Sequence, residues 1–220
     1  MVQSMSLHIT DQDTRLSRLA AIPDEAADAA LDLGYPPLPP VYPKPTCRFP
    51  AVANDDRFVT VGVPVLGCAP GDTPLDTRPV RCRGEVNARL VQAVAGLPAG
   101  FCLVVLGGWC PNPGESLCTV PRSHATGGAV DVTLSWHGVP LALGTDYPST
   151  DDAALLTAFE RTDGPVRELR RLLAKHLFAQ GMVPDPAVWW HWSYGDARWA
   201  AHMKTMPRYD ETLEGGHHHG

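Results

Sequence analysis

The sequence predicts an α+β fold in which a small antiparallel sheet carries helices on one face. A helical pattern at 84–97 leads into the apolar run FCLVVL (101–106), and a second one at 165–180 precedes the aromatic run VWWHWS (188–193). Between them lies the alternating segment AVDVTL (129–134). The order helix, strand, long loop, strand, helix, strand favours this fold class.

The two helices are predicted from apolar residues at helical spacing. The stripe of the first helix consists of Val86, Leu90, Val94 and Leu97, and that of the second consists of Val166, Leu169, Leu173 and Leu177. Pro165 stands at the start of the second helix, where a missing backbone amide costs little. Each helix therefore has one apolar face to bury against a sheet.

The two inner segments have the patterns of strands. FCLVVL follows the turn PAG (98–100) and is typical of a buried strand. In AVDVTL the residues Val130, Val132 and Leu134 fall on one face, and Ala129, Asp131 and Thr133 fall on the other. This alternation predicts a half-buried strand that presents a carboxylate.

The chain is expected to form one domain with decorated termini. Residues 1–50 are interpreted as an irregular, proline-rich N-terminal segment, 51–210 as the folded domain and 211–220 as a disordered tail ending in GGHHHG. The stretch GYPPLPPVYPKP (34–45) contains six prolines, so it either wraps the domain surface or stays mobile. A short helix is expected just before it, at 24–33.

Composition excludes several classes of partner. The net charge is −6 and there is no basic run, which argues against nucleic acid. No apolar stretch approaches the roughly 20 residues of a membrane span, and the first residues lack the pattern of a signal peptide. A cytoplasmic location is therefore expected. The six cysteines include no CxxC pair and are expected to be free thiols in that compartment. The oligomeric state is not predicted.

The segment SHATGGAVD is the first candidate for chemistry. His124 lies in a glycine-rich loop, and Asp131 lies on the strand that this loop enters. Gly127 and Gly128 give the backbone the freedom to turn the loop back on its strand, which would bring an imidazole and a carboxylate together. The competing interpretation is two ordinary surface residues.

The segment WWHWSYGD is the second candidate. His191 is a polar residue among three tryptophans, and such a residue needs a partner when it is buried. An aromatic shell that excludes water and fixes an imidazole suits a metal ligand. The competing interpretation is a core strand with one hydrogen-bonded histidine.

Together these segments resemble the D-alanyl-D-alanine dipeptidases, the zinc peptidases known from vancomycin resistance. The family pattern is His-x-x-Gly-x-Ala-x-Asp followed by Glu-Trp-Trp-His; the matching positions here are His124, Gly127, Ala129, Asp131, Trp189, Trp190 and His191. The resemblance covers about residues 80–202. It implies that His124, Asp131 and His191 are zinc ligands at the sheet edge. Two histidines and a carboxylate also suit iron, and copper stays open as well.

Two positions depart from the family pattern. The family's general base is a Glu three residues before the final His, where this chain has Val188. Its Arg of the Tyr-Arg-Pro motif, which stabilises the oxyanion, is replaced by Cys110. Asp185, Arg122 and Glu115 are possible substitutes for the lost groups, although each also has an ordinary surface interpretation.

Several roles are open for Cys110. It would serve as a fourth metal ligand, a nucleophile, one half of a disulfide with Cys118, or a small filler residue. We treat Cys110 and Arg122 as candidate catalytic residues. The candidate substrate-binding residues are Trp109, Ser123, Trp189 and Trp190.

Three functions are compatible with these observations. The first is a zinc metalloenzyme that acts on a dipeptide or an amino-acid-like small molecule, with the usual hydrolysis impaired by Val188 and Cys110. The second is a true dipeptidase with a relocated base. The third is a pseudoenzyme or peptide-binding module with structural zinc.

Overall fold

The computed structural model describes residues 19–31, 33–39, 51, 54–65, 79–110 and 122–210. Its main sheet is antiparallel, with the strand order β3-β4-β7-β6 and a short strand β5 paired to β4. These strands are β3 (Phe101–Gly107), β4 (Ala129–Trp136), β5 (Val139–Pro140), β6 (Val183–Asp185) and β7 (Val188–Ser193). A separate antiparallel pair joins β1 (Phe58–Thr60) to β2 (Arg81–Arg83). The α+β prediction is confirmed.

Four helices accompany these strands in the described part of the chain. They are α1 (Asp24–Leu31), α2 (Gly84–Ala95), α3 (Pro165–Ala179) and α4 (Ala197–Met203). Helix α2 packs on β3, and α3 packs on β4, on β6 and on α2. Of the apolar stripe predicted for α3, Leu169, Leu173 and Leu177 are buried. No described helix has the length and apolar composition to cross a membrane.

Strand β4 is more deeply buried than its alternating pattern predicts. Every residue from Ala129 to Ser135 is buried, so the half-buried interpretation is wrong. The face that carries Asp131 and Thr133 is covered by the chain that returns after β5: the Thr133 hydroxyl donates to the Leu141 carbonyl at 2.7 Å. The carboxylate of Asp131 is therefore held inside the protein.

The described part of the N-terminal segment packs against the domain. Ala20 forms a parallel bridge with Leu141, and helix α1 lies against α3. Tyr35 and Leu38, from the proline-rich stretch, belong to the main hydrophobic core. Of the two alternatives for this stretch, residues 34–39 therefore cover the domain. The rest of the stretch lies outside the described residues, as does the tail from 211.

The segment that follows β5 is tied down by one buried arginine. Arg170 on α3 is 2% exposed, and its guanidinium donates to the carbonyls of Leu143, Ala153 and Leu155 at 2.7–2.8 Å. Burial lowers the pKa of Arg170 to about 9, which still leaves it charged at neutral pH. This side chain fixes the path of residues 143–155, which pass beside the metal-ligand candidates.

The sequence patterns did not predict five of the observed elements. Strands β1, β2, β5 and β6 have only two or three residues each, too few to show a period. Helix α4 follows the aromatic run in a stretch for which the sequence predicts no element. It has seven residues, and its N-terminus is capped by Asp196, whose carboxylate accepts from the Trp199 amide at 2.8 Å.

Candidate metal centre

His124 lies in a short helical turn, and the Phe58 ring packs beside the glycine that follows this turn. The turn covers Arg122–Thr126, and the Thr126 hydroxyl donates back to the Ser123 carbonyl at 2.6 Å. Gly127 then adopts φ +71°, and a Cβ there would lie 2.2 Å from the Phe58 ring. The predicted need for glycine at 127 is thus confirmed, because both the backbone angle and the close ring exclude a side chain.

Asp131 and His191 are brought together by strand register. They are direct partners across the β4–β7 pair, so their side chains lie side by side on one face of the sheet. Both strands are inner strands, and the pair lies near the end of the sheet where β4 begins. The predicted position at the sheet edge corresponds to this end.

Three donor atoms of these residues converge. The His124 Nε2 lies 3.1 Å from the Asp131 Oδ1 and 3.1 Å from the His191 Nδ1, and that Nδ1 lies 2.8 Å from the same oxygen. All three side chains are buried. Zinc with ligands at about 2.0–2.1 Å in tetrahedral geometry places its ligand atoms roughly 3.3 Å apart. The donor set needs only small adjustments to fit such an ion.

The buried Asp131 carboxylate makes a positive charge favourable at the centre of this cluster. The His124 Nδ1 donates to the Gly108 carbonyl at 2.7 Å, so the Nε2 of a neutral His124 is an unprotonated donor to a metal. Burial alone would lower the pKa of His124, but the Asp131 carboxylate and the Gly108 carbonyl outweigh it and raise that pKa. Burial would likewise raise the pKa of Asp131, but the two histidines hold it below its usual range. A shared proton or a metal ion satisfies these atoms.

Each of the three side chains has a further partner on its outer side. His124 has the Gly108 carbonyl, and His191 has the Ser123 hydroxyl, 3.0 Å from its Nε2. Asp131 accepts a hydrogen bond of 2.9 Å from the Tyr147 hydroxyl through its Oδ2. Such outer partners orient metal ligands and fix histidine tautomers. The cluster therefore has three candidate ligands and, for each of them, an outer partner that orients it.

The predicted aromatic shell is present, but most of its ring surface is buried and inaccessible to solvent. Trp189 is fully buried, and its indole donates to the Thr145 hydroxyl at 2.9 Å. Trp190 is 5% exposed and meets the Trp189 ring edge to face. Trp109 is half-buried, stacks on Phe58 and donates to the Ala125 carbonyl. These contacts hold the loop and strands together, and substrate binding by the three tryptophans stays a prediction.

The positions that depart from the family pattern have other surroundings. Val188 begins β7 and packs against the hydrophobic core. Asp185 is buried and forms an ion pair of 2.6 Å with Arg198, so it is not the exposed residue of the ordinary interpretation. Arg122 opens the turn before His124, and its side chain lies outside the described part, as does Glu115.

Cys110 is disulfide-bonded, whereas Cys82 and Cys102 are free. The free-thiol prediction is confirmed for those two and is wrong for Cys110. Cys118, the partner considered for it, lies outside the described residues. A sulfur in a disulfide is neither a thiolate ligand nor a nucleophile, so both of those roles require the reduced protein. The backbone of Cys110 still contributes, because its amide donates to the His124 carbonyl at 3.2 Å.

Sequence reasoning missed two contributors to this centre. Gly108 acts through its backbone carbonyl, and because every residue has one, the sequence does not predict this role. Tyr147 stands 16 residues beyond Asp131, in a segment for which the sequence predicts no element. Its one sequence signal is an aromatic residue with a hydroxyl among small and acidic neighbours, which is too common to be informative.

The fold and this cluster define a protein that carries a buried His₂Asp cluster, the donor set of a metal-binding centre, on an antiparallel sheet. Residues 111–210, a little under half of the chain, match the model of the family described as D-ala-D-ala dipeptidase. The match confirms, over this part of the chain, the resemblance carried by the two motifs. No curated protein matches the chain at a significant level.

Proposed function

We propose that this protein is a zinc metalloenzyme that acts on a dipeptide or an amino-acid-like small molecule. The observation that carries the proposal is the convergence of one carboxylate oxygen and two imidazole nitrogens within 3.1 Å of one another in a buried space. When bound there, zinc supplies Lewis-acid polarisation of a substrate carbonyl. His124, Asp131 and His191 would hold it with one negative charge, which leaves the centre cationic.

We further propose that hydrolysis by the family's usual route is impaired. Val188 has no proton to give or take, and it packs against the core. A positioned acid–base group is worth about 10²–10⁴-fold in rate. Cys110 is bound in a disulfide and offers no charge to stabilise an oxyanion. Loss of such an oxyanion partner raises the barrier by roughly 3 kcal/mol. These two replacements favour a changed reaction, or a pseudoenzyme that retains the metal, over ordinary dipeptidase activity.

One observation favours the alternative of a dipeptidase with a relocated base. Asp196 is 1% exposed, and its Oδ2 has no hydrogen-bond partner among the described residues. Its charge also contributes to raising the pKa of His124, which places it within electrostatic range of the centre. A buried carboxylate with one free oxygen near a metal is a candidate proton acceptor. The cytoplasmic location is a separate proposal. The disulfide at Cys110 argues against it, because disulfides are more typical of an oxidising compartment.

Metal binding is tested first, by measuring the metal content of the purified protein and titrating the metal-free protein with zinc. We expect one equivalent, and affinity lost by orders of magnitude in His124→Ala, Asp131→Ala and His191→Ala. His137→Asn is the matched control, because His137 is exposed in the turn after β4 and its φ of 47° suits asparagine. A protein that binds no zinc, iron or copper contradicts the proposal.

The reaction is tested with the zinc-loaded protein on D-Ala-D-Ala and a panel of other dipeptides. We expect little hydrolysis by the native chain and a gain of at least about 10²-fold in the double variant Val188→Glu with Cys110→Arg. Efficient hydrolysis by the native chain that Asp196→Asn abolishes would establish the relocated base instead. Asparagine retains the helix cap, so this variant removes only the charge.

A further inference from the structure

The two oxygens of the Asp131 carboxylate are divided between two sets of partners. The Oδ1 faces both imidazoles, at 3.1 Å from the His124 Nε2 and 2.8 Å from the His191 Nδ1. The Oδ2 accepts the hydrogen bond from Tyr147 at 2.9 Å. One oxygen is therefore available to a metal, and the other is committed to a phenol.

The position of the Tyr147 hydroxyl is determined by its surroundings. Its ring meets the Trp190 ring edge to face, with 5.5 Å between centroids. Gly107 lies directly beside the hydroxyl: a Cβ there would be 2.9 Å from the Tyr147 oxygen and 3.4 Å from the Asp131 Oδ2. The absence of a side chain at 107 leaves the space in which the phenol and the carboxylate meet.

The backbone around Tyr147 is also held on both sides. Before it, the Leu143 carbonyl accepts from Arg170, and the Thr145 hydroxyl accepts from the Trp189 indole. After it, the Ala153 carbonyl accepts from Arg170 as well. These contacts connect the segment that carries Tyr147 to α3 and to β7, the strand of His191. The segment that carries the Tyr147 phenol is thus held in a fixed position relative to Asp131.

We propose that Tyr147 is a positioning residue that keeps Asp131 a monodentate ligand. A carboxylate binds a metal through one oxygen or through both, and binding through both would occupy the position that a catalytic centre leaves for substrate. By holding the Oδ2, Tyr147 directs only the Oδ1 to the metal and preserves that open position. The inference rests on the metal site of the proposed function and adds a determinant of its coordination number.

The test compares Tyr147→Phe with Tyr194→Phe in the full chain. The Tyr194 hydroxyl donates to Glu85 over the same 2.9 Å, and its side chain is buried where that of Tyr147 is partly buried, but its hydroxyl does not bond the three candidate ligands. We expect the zinc Kd of Tyr147→Phe to rise about 10–100-fold, while Tyr194→Phe stays within about twofold of the native protein. In the cobalt-substituted protein, Tyr147→Phe should lose visible absorption intensity as coordination exceeds four, whereas Tyr194→Phe should not.

Gly107→Ala provides a second variant that retains the phenol but displaces it. If Tyr147→Phe does not fold, the same rise in Kd and loss of cobalt absorption in Gly107→Ala supports the proposal. Equal zinc affinities and cobalt spectra for the Tyr147→Phe and Tyr194→Phe proteins overturn it. So does a Gly107→Ala protein with native metal properties. A native chain that binds no metal overturns the proposed function and this inference together. A native chain that binds zinc, with the same metal properties in Tyr147→Phe as in Tyr194→Phe, overturns this inference alone.

Discussion

At the scale of single residues, the orientation of His191 depends on a serine that was predicted to bind substrate. The Ser123 hydroxyl lies 3.0 Å from the outer nitrogen of His191, so it is in position to fix which ring nitrogen faces the centre. This contact does not exclude substrate binding, and that role of Ser123 stays a prediction. The structural role has a direct consequence for metal affinity.

We expect Ser123→Ala to weaken zinc binding by about 10-fold or more, because loss of an outer partner frees the ligand ring. Ser149→Ala is the control: its hydroxyl also bonds a side chain, the carboxylate of Asp151, which is not one of the three candidate ligands. Calorimetric titration of both metal-free variants gives the comparison. Unchanged affinity in Ser123→Ala would show that the contact does not orient His191.

At the scale of elements, the turn that carries His124 depends on β1 and β2. The Arg83 amide donates to the Gly127 carbonyl, and the Arg83 guanidinium donates to the Thr126 carbonyl, both at 3.0 Å. Phe58 on β1 fills the space beside Gly127. The small two-stranded sheet therefore supports the turn that carries His124.

Gly127→Ala should destabilise the protein more than Gly138→Ala does. Both glycines have positive φ, +71° and +84°, so both variants lose about 1 kcal/mol for the backbone angle. Only at 127 would the new methyl group also meet an aromatic ring, and we expect about 1–3 kcal/mol more there. Urea denaturation of the two proteins measures the difference. Equal losses would mean that Phe58 moves aside without cost.

At the scale of the whole molecule, the proposed metal binding would be coupled to stability and to pH. In the metal-free protein the raised pKa of His124 contributes stability that is complete below the ordinary value of 6.5 and is lost as the pH rises through the folded-state pKa. Asp131 acts in the opposite sense, since its lowered pKa gives stability above 3.8 that is lost in acid. A metal ion competes with the proton on His124, so its affinity rises with pH.

The zinc-induced increase in Tm should therefore grow between about pH 6 and about pH 8, while the Tm of the metal-free protein falls. At a free zinc concentration of 100 Kd the stabilisation is about 2.7 kcal/mol, or roughly 5–10 °C for a chain of this size. Calorimetric scans with and without zinc measure it. The His191→Ala protein should show no such increase, and a pH-independent shift in the native protein would argue against a proton–metal exchange at His124.

Much of the centre follows from local sequence. His124, Asp131 and His191 are identified because two short motifs carry them, and the strands that hold Asp131 and His191 have clear patterns of their own. Val188 and Cys110 are recognised as departures for the same reason. Gly107, Gly108 and Tyr147 were not predicted, because their contributions are an empty volume, a carbonyl and a hydroxyl that reaches Asp131 from a separate segment.

The sequence by itself therefore determined the three candidate ligands, the fold class and the two positions that depart from the family pattern, since each depends on residue type and short-range spacing. Only the tertiary structure decided how β4 pairs with β7, which places Asp131 opposite His191. It alone decided that Arg170 and Tyr147 support the ligands and that Cys110 is bonded. The strand pairing and the contacts of Arg170 and Tyr147 join segments distant in the chain, and a pattern in one segment carries no information about the segment it will meet.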